Sequence, residues 1–231
     1  MNRSAAMTGS GGARPGPPPR GRGRPANTST DDTVAAMLVA ARREFAAHGY
    51  SGTSNHRVAS AAGLAHTAIY NHFGSKARLF SAVFVDVQGL LIAELWRSVH
   101  DNPGDPPFPR ALLDAIEALR AADPSYVEFL ASMYVEVRRH PELREVFQGG
   151  EPFPIVDTLR ELATGHVAEV AWSTPDDSMW FWITFALGLA QLSALADEAT
   201  FALTVDGFRR WFTTTRWVEH DRSTDPGGTR S

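Results

Sequence analysis

Residues 58–76 read VASAAGLAHTAIYNHFGSK. Two short segments flank Gly63, a residue that tolerates the positive φ of a tight turn between helices. Ala59 is small, so two helices could cross closely at that position. Apolar contacts between them would come from Val58, Leu64 and Ile69. The spacing predicts a helix-turn-helix centred on Gly63.

Helical patterning continues on the N-terminal side of this stretch. An apolar stripe predicts a first helix over about residues 32–48, which Gly49 would end. Ser54 is a good N-cap for a second helix that ends near Ala62. The third helix is expected over about residues 65–71.

The remainder of the chain also has helical rather than alternating periodicity. Ser75 would cap a long fourth helix, and further helices are expected at about 108–121, 124–139, 141–148, 154–172, 175–198 and 200–217. No segment is a convincing strand. We therefore expect an all-α fold, with a three-helix N-terminal helix-turn-helix domain followed by a larger helical domain. The expected divisions are an arm at 1–29, the first domain at 30–77, the second at 78–219 and a tail at 220–231.

Composition limits the classes of protein that the chain could be. It has 231 residues and no cysteine, which excludes disulfides, thiolate zinc sites and a cysteine nucleophile. Residues 1–80 carry a formal charge of +7 and residues 81–231 carry −11. A basic N-terminal third suggests contact with a polyanion, although chance clustering of arginines is the alternative.

Both ends of the chain are predicted to be disordered, because they contain almost nothing to bury. Within the first 29 residues, the run RGRGRP at 20–25 alternates glycine and arginine and looks like an AT-hook. Such a strand could place Arg22 and Arg24 in a narrow minor groove. A solvated linker with incidental arginines is the alternative.

The stretch around Gly63 also resembles a known family. The runs that carry the resemblance are FAAHGY at 45–50, TSNHRVA at 53–59, AGL at 62–64 and IYNHFGSK at 69–76. They are similar to the DNA-binding domain of the TetR/AcrR family, over about residues 33–84; beyond it the likeness is architectural. The resemblance implies a cytoplasmic homodimer that binds double-stranded DNA at a pseudo-palindromic operator, as a repressor released by a small apolar or aromatic effector. An effector-independent DNA-binding regulator or an architectural protein is the alternative, and activation is not excluded.

The resemblance implies roles for individual side chains. Tyr70 and Lys76 would meet phosphates, while His66, Thr67 and Asn71 would lie on the third helix in the major groove. Asparagine can pair with adenine there, and a threonine methyl can pack on thymine. The full set of expected DNA-binding residues is Arg22, Arg24, Ser54, His56, Arg57, His66, Thr67, Tyr70, Asn71, His72 and Lys76. Packing is the alternative role for Tyr70 and His72.

Three positions depart from the family pattern. Asn55 stands where an apolar residue is usual, Arg57 where an acid is frequent, and Ala77 where glutamate is common. Arg57 therefore cannot complete a capping box with Ser54, and it could instead add a phosphate contact.

The C-terminal two-thirds is dense in aromatic residues, most of which must fill the core. In the family, this region holds the effector and the dimer interface. The expected ligand-binding residues are Trp96, Phe129, Met133, Tyr134, Phe147 and Trp172. The expected interface residues are Ala186, Ala190, Ala194, Phe208 and Trp211, because small residues every four positions allow close helix approach.

Other classes find little support in the sequence. The uncharged run at 178–196 could nearly span a bilayer, but polar interruptions and acidic flanks favour a buried helix, so no membrane partner is expected. No phosphate loop, GxSxG or HExxH motif is present, and no two histidines lie four residues apart. We expect no catalytic activity, no metal site and no cofactor.

Overall fold

The structure is a computed structural model that describes residues 30–101, 107–148, 155–158, 166–168, 175–214 and 217–219. Its helices are α1 Thr30–Gly52, α2 Asn55–Ala61, α3 Thr67–Phe73, α4 Lys76–Asp101, α5 Pro107–Ala122, α6 Ser125–Arg139, α7 Pro141–Gln148, α8 over 155–158, α9 Pro175–Leu195 and α10 Glu198–Thr214. Two short strands are β1 His166–Ala168 and β2 Trp217–Glu219. The expected all-α class, with a small N-terminal domain before a larger helical one, is confirmed.

Gly49 interrupts α1 as the sequence predicts. Its φ is 66°, and the three residues after it form a separate turn. A Cβ at this position would also lie 2.7 Å from Oε1 of Glu136 on α6. The positive φ is what requires glycine here, because the end of the flexible Glu136 side chain could move away from a Cβ.

Two details of the predicted secondary structure are wrong. β1 pairs antiparallel with β2, with Val167 opposite Val218, so the chain does contain strands and the predicted helix over 154–172 is not continuous. The two segments lie far apart in sequence, and three residues are too few to show alternation. The third helix begins at Thr67 rather than Ala65, which leaves His66 just outside it.

A column of aromatic rings joins the two domains through α4. Phe45 of α1 meets Phe80 of α4 edge-on, with ring centroids 5.0 Å apart. Phe80 lies 4.9 Å from Phe129 of α6, and Phe84 lies 5.4 Å from Phe147 of α7. Aromatic pairs of this geometry contribute roughly 0.5–1.5 kcal/mol each beyond their burial.

A buried ion pair forms the second link between the domains. Arg42 of α1 is only 2% exposed. Its Nη2 lies 2.8 Å from the carboxylate of Asp123, its Nε donates to Oγ of Ser125 at 2.9 Å, and its guanidinium lies 3.4 Å from the Tyr126 ring centroid. The start of α6 is thereby fixed against α1.

One described helix, α4, is long and apolar enough to cross a membrane by length and composition. Half of its most apolar window is buried within the protein, where it packs against α1, α5 and α7. The apolar part of α9 is the shorter stretch Trp180–Leu195. The apolar character of α4 is explained by its central place in the core.

Candidate nucleic-acid interface and ligand cavity

The turn between α2 and α3 has the geometry that the sequence predicts. Gly63 has a φ of 69°, its N–H donates to the Ser60 carbonyl at 3.1 Å, and the Leu64 N–H donates to the Ala59 carbonyl at 2.8 Å. Val58, Ala59 and Ile69 are buried against one another's helices and the core. This packing fixes the direction of α3.

The outer face of α3 is polar and exposed. Thr67, Asn71 and His72 are exposed to solvent. Tyr70 is 69% exposed, which is a large exposed fraction for a tyrosine. His66, at the N-cap position, is exposed beside them and makes no capping hydrogen bond. The expected base-reading residues therefore lie together on a free surface.

The start of α2 is capped by Ser54, whose Oγ accepts from the Arg57 N–H at 3.2 Å. Arg57 does not complete a capping box, as expected. Its Nε instead donates to Oε2 of Glu44 on α1 at 2.8 Å, and its Nη2 lies 2.6 Å from Nε2 of His48. Its guanidinium, which we expected to be available for phosphate, is thus held by α1, whereas His56 is exposed.

Lys76 lies inward at the start of α4. Its Nζ donates to the carbonyls of Tyr50 at 2.9 Å and Thr53 at 3.0 Å, and it lies 4.1 Å from the Tyr50 ring centroid. Burial lowers the pKa of Lys76 and, with nearby Glu142, raises the pKa of Tyr50 to about 12. The ammonium thus joins the start of α4 to the end of α1 and to the segment that leads into α2. The free N-terminus of α4 is capped by Ser75, whose Oγ accepts from the Arg78 N–H.

The larger domain contains an apolar cavity of about 50 Å³. Its lining residues are Phe84, Gln88, Leu91, Leu112, Ile116, Leu130, Tyr134, Ile155, Ile183, Ala186, Leu187 and Ala190. They come from α4, α5, α6, α8 and α9, so the cavity lies where these helices meet. Of the described residues that line it, none is charged.

The expected ligand-binding residues divide between the cavity and the core. Tyr134 lines the cavity and is partly exposed, and burial raises its pKa. Phe129, Met133 and Phe147 are buried but do not line the cavity. Phe129 and Phe147 belong to the aromatic column described above. Trp96 packs against the core, also outside the lining.

The expected dimer residues divide between the cavity lining, the exposed surface and a contact between aromatic rings. Ala186 and Ala190 line the cavity, while Ala194 and Trp211 are exposed and Phe208 packs edge-on to Phe185 at 4.8 Å. The large exposed apolar side chains on α9 and α10 are Trp180, Leu195, Leu203 and Trp211.

The inner face of α10 is fixed to the body of the domain. Phe201, Val205 and Phe212 are buried, and Arg209 forms ion pairs with Asp114 and Glu117 of α5. The outer face of α10 is consequently directed to solvent.

A family model for bacterial regulatory proteins of the tetR family matches residues 37–83. These residues hold α2, α3 and the parts of α1 and α4 that pack on them. Over these residues the chain is similar to the TetR family. The HTH-type transcriptional repressor AcnR of Corynebacterium efficiens is 47% identical over 47 residues, which are 20% of this chain and 25% of AcnR. The chain thus matches about a quarter of the length of these curated relatives.

Solved structures extend the likeness to most of the chain. The fatty acid degradation regulator FadR from Bacillus halodurans has a TM-score of 0.60 at 16% identity, over 79% of this chain and 95% of FadR. FadR from Bacillus subtilis, in complex with stearoyl-CoA, has a TM-score of 0.59 at 14% identity, over 78% of this chain and 97% of FadR. At these identities the likeness shows the fold alone. All these names are those of regulators, in agreement with the expectation of a non-enzymatic protein.

Three expected site residues, Arg22, Arg24 and Trp172, lie outside the described residues, as do the arm at 1–29 and the tail at 220–231. Among the described residues, no group of histidine and acidic side chains could hold a metal ion. Of the residues that line the cavity, only Tyr134 was among the expected ligand-binding residues, and the polar residue missing from that set is Gln88. Its signal is a lone amide on the apolar face of α4, four residues after Phe84 and three before Leu91.

Proposed function

We propose that this chain is a homodimeric, sequence-specific DNA-binding regulator of the cytoplasm. The observation that carries the proposal is the exposed polar face of α3 on a helix-turn-helix whose inner face, at Ile69, is fully buried. A helix held in this way can enter a major groove without rearrangement. The repressor name of AcnR, which matches this domain, favours repression.

Base recognition is assigned to Thr67 and Asn71, because both are exposed one turn apart on α3. An asparagine amide can donate to and accept from adenine at the same time. Tyr70 and the capped N-terminus of α4 are assigned to phosphates, where hydroxyl and backbone N–H groups can donate. Arg57 and Lys76 have a smaller part in this proposal, because their donors are already bound within the domain.

The second copy would pack on the outer faces of α9 and α10. Four large apolar side chains are exposed there, namely Trp180, Leu195, Leu203 and Trp211. Large apolar side chains exposed on two neighbouring helices are more typical of an interface than of a monomer surface. A two-fold dimer would place two copies of α3 on successive half-sites of a pseudo-palindrome.

The cavity is the proposed effector site. Residues of α4 line the cavity, and the N-terminal part of the same helix packs against α3. A ligand that binds one arrangement of α4 more tightly would increase the population of the corresponding spacing between the two recognition helices. The size of that population shift is limited by the difference in the ligand's affinity for the two arrangements.

Random-site selection with the full chain tests the proposal, followed by binding to the selected duplex. We expect an inverted repeat, and Asn71→Ala should weaken binding about 10- to 100-fold while relaxing preference at one base pair per half-site. His100→Ala, at an exposed position at the far end of α4, is the matched control and should leave affinity unchanged. Selection without an inverted repeat, or equal effects of the two variants, would contradict the proposal.

A further inference from the structure

The side-chain amide of Gln88 is buried with one half unpaired. Gln88 is 1% exposed, and its Oε1 accepts from the Ile155 backbone N–H at 3.3 Å. A backbone N–H can only donate, so this bond places the oxygen towards Ile155 and the nitrogen on the other side. Nε2 has no hydrogen-bond partner. A buried donor without a partner is unfavourable, so an acceptor brought to it would be bound favourably.

The surroundings of this donor are almost entirely hydrocarbon. Gln88 lines the cavity together with leucine, isoleucine, alanine and phenylalanine side chains, and the other polar residue in the described lining is Tyr134, at a partly exposed position. No described lining residue is charged. A carboxylate or ammonium placed there would lose its hydration without gaining an opposite charge.

We propose that the cavity binds a small, neutral, apolar molecule with one hydrogen-bond acceptor, which accepts from Nε2 of Gln88. This inference rests on the proposed effector site and gives the chemical class of its ligand. The volume of about 50 Å³ is about a third of the roughly 150 Å³ that holds benzene in an engineered cavity, so it suits a ligand of only a few non-hydrogen atoms. Apolar contact supplies most of the affinity, and the amide supplies orientation and selectivity.

Three probes of similar size test the inference by isothermal titration of the full chain without DNA. Butanone carries one carbonyl acceptor, 2-methyl-1-butene replaces it with hydrocarbon of the same shape, and propanoate replaces it with a charge. We expect butanone to bind about tenfold more tightly than 2-methyl-1-butene, because only butanone pairs the buried donor, and propanoate to bind most weakly. In Gln88→Met, which keeps the volume and removes the donor, the preference for butanone should disappear.

Ser81→Ala is the matched control. Ser81 lies on the same helix, is equally buried, and also has an unpaired polar atom, but it does not line the cavity. The variant should keep the preference of the wild type. Equal affinity of the wild type for butanone and 2-methyl-1-butene, tightest binding of propanoate, or no binding of any probe by folded protein would each overturn the inference. These results decide it even if Gln88→Met fails to fold, and they are independent of operator binding because no DNA is present.

Discussion

Arg42 of α1 and Asp123, between α5 and α6, lie 2.8 Å apart and join the DNA-binding domain to the larger domain. Burial alone would raise the pKa of Asp123. Hydrogen bonds from the Ser125 hydroxyl and backbone N–H, a bond from Arg43 and the charge of Arg42 outweigh it and hold the pKa well below its ordinary value. The carboxylate is therefore charged wherever the protein is folded near neutral pH.

Asp123→Asn should lower the free energy of unfolding by about 2–3 kcal/mol at pH 7, because it leaves the buried Arg42 without its counter-charge. The lowered pKa also fixes the pH dependence. The stabilisation is complete above the ordinary pKa of 3.8 and is lost as pH falls below it, when the unfolded chain takes up the proton first. Denaturant unfolding at a series of pH values measures both effects.

The matched control for this variant is Asp206→Asn, at an exposed position on α10. It should change stability by less than about 0.5 kcal/mol. The gap between wild type and Asp123→Asn should narrow as the pH falls into the acid range. A gap that stays constant with pH would show that the pKa of Asp123 is not lowered by folding.

Asn55 carries a buried side-chain oxygen that has no hydrogen-bond partner. Replacing it with valine should raise the free energy of unfolding by about 1 kcal/mol, because the unpaired acceptor is removed and the helix propensities of the two residues are similar. Thermal unfolding measures the gain as a rise in Tm of a few degrees.

Asn71→Val gives the same substitution at an exposed position of α3 and should leave Tm nearly unchanged. A fall in Tm for Asn55→Val would show that the buried oxygen is paired in solution. Asn55 departs from the family pattern at the start of α2. The comparison therefore also measures how much stability the protein loses through that departure.

Local features of the fold could be predicted from sequence, and contacts between distant segments could not. The positive φ of Gly63 and the caps at Ser54 and Ser75 depend on residues within one turn, and all three are as expected. The apolar stripe of α4 predicted the helix. It did not predict which of its side chains pack in the core and which line the cavity. Ile155 reaches Gln88 from a segment far away in sequence, so only the fold could bring them together.

Lys76 provides a prediction about stability, because its Nζ donates to two backbone carbonyls in the protein without DNA, whereas the family resemblance implies a phosphate contact. Lys76→Met keeps the length of the side chain but leaves the carbonyls of Tyr50 and Thr53 without their donor. We expect the free energy of unfolding, measured without DNA, to fall by about 1–2 kcal/mol.

Arg78→Met is the matched control, since Arg78 is exposed two residues further along α4. It should change stability by less than about 0.5 kcal/mol. If Lys76→Met left stability intact and instead reduced the salt dependence of DNA binding by about 0.9 in log–log slope for each subunit, Lys76 would be a phosphate contact.

The exposed apolar face of α9 and α10 gives the last prediction. Leu203 is 70% exposed in the single chain, so Leu203→Glu should not disturb the fold. In a dimer packed through this face, however, it would bury two carboxylates, each without an opposite charge. We expect the variant to sediment as a monomer at concentrations where the wild type is dimeric, and to bind the operator with loss of most of its affinity. Leu90→Glu makes the same change at a partly exposed position of α4 outside the face and should remain dimeric. A monomeric wild type at micromolar concentration, or dissociation by Leu90→Glu and not by Leu203→Glu, would place the interface elsewhere.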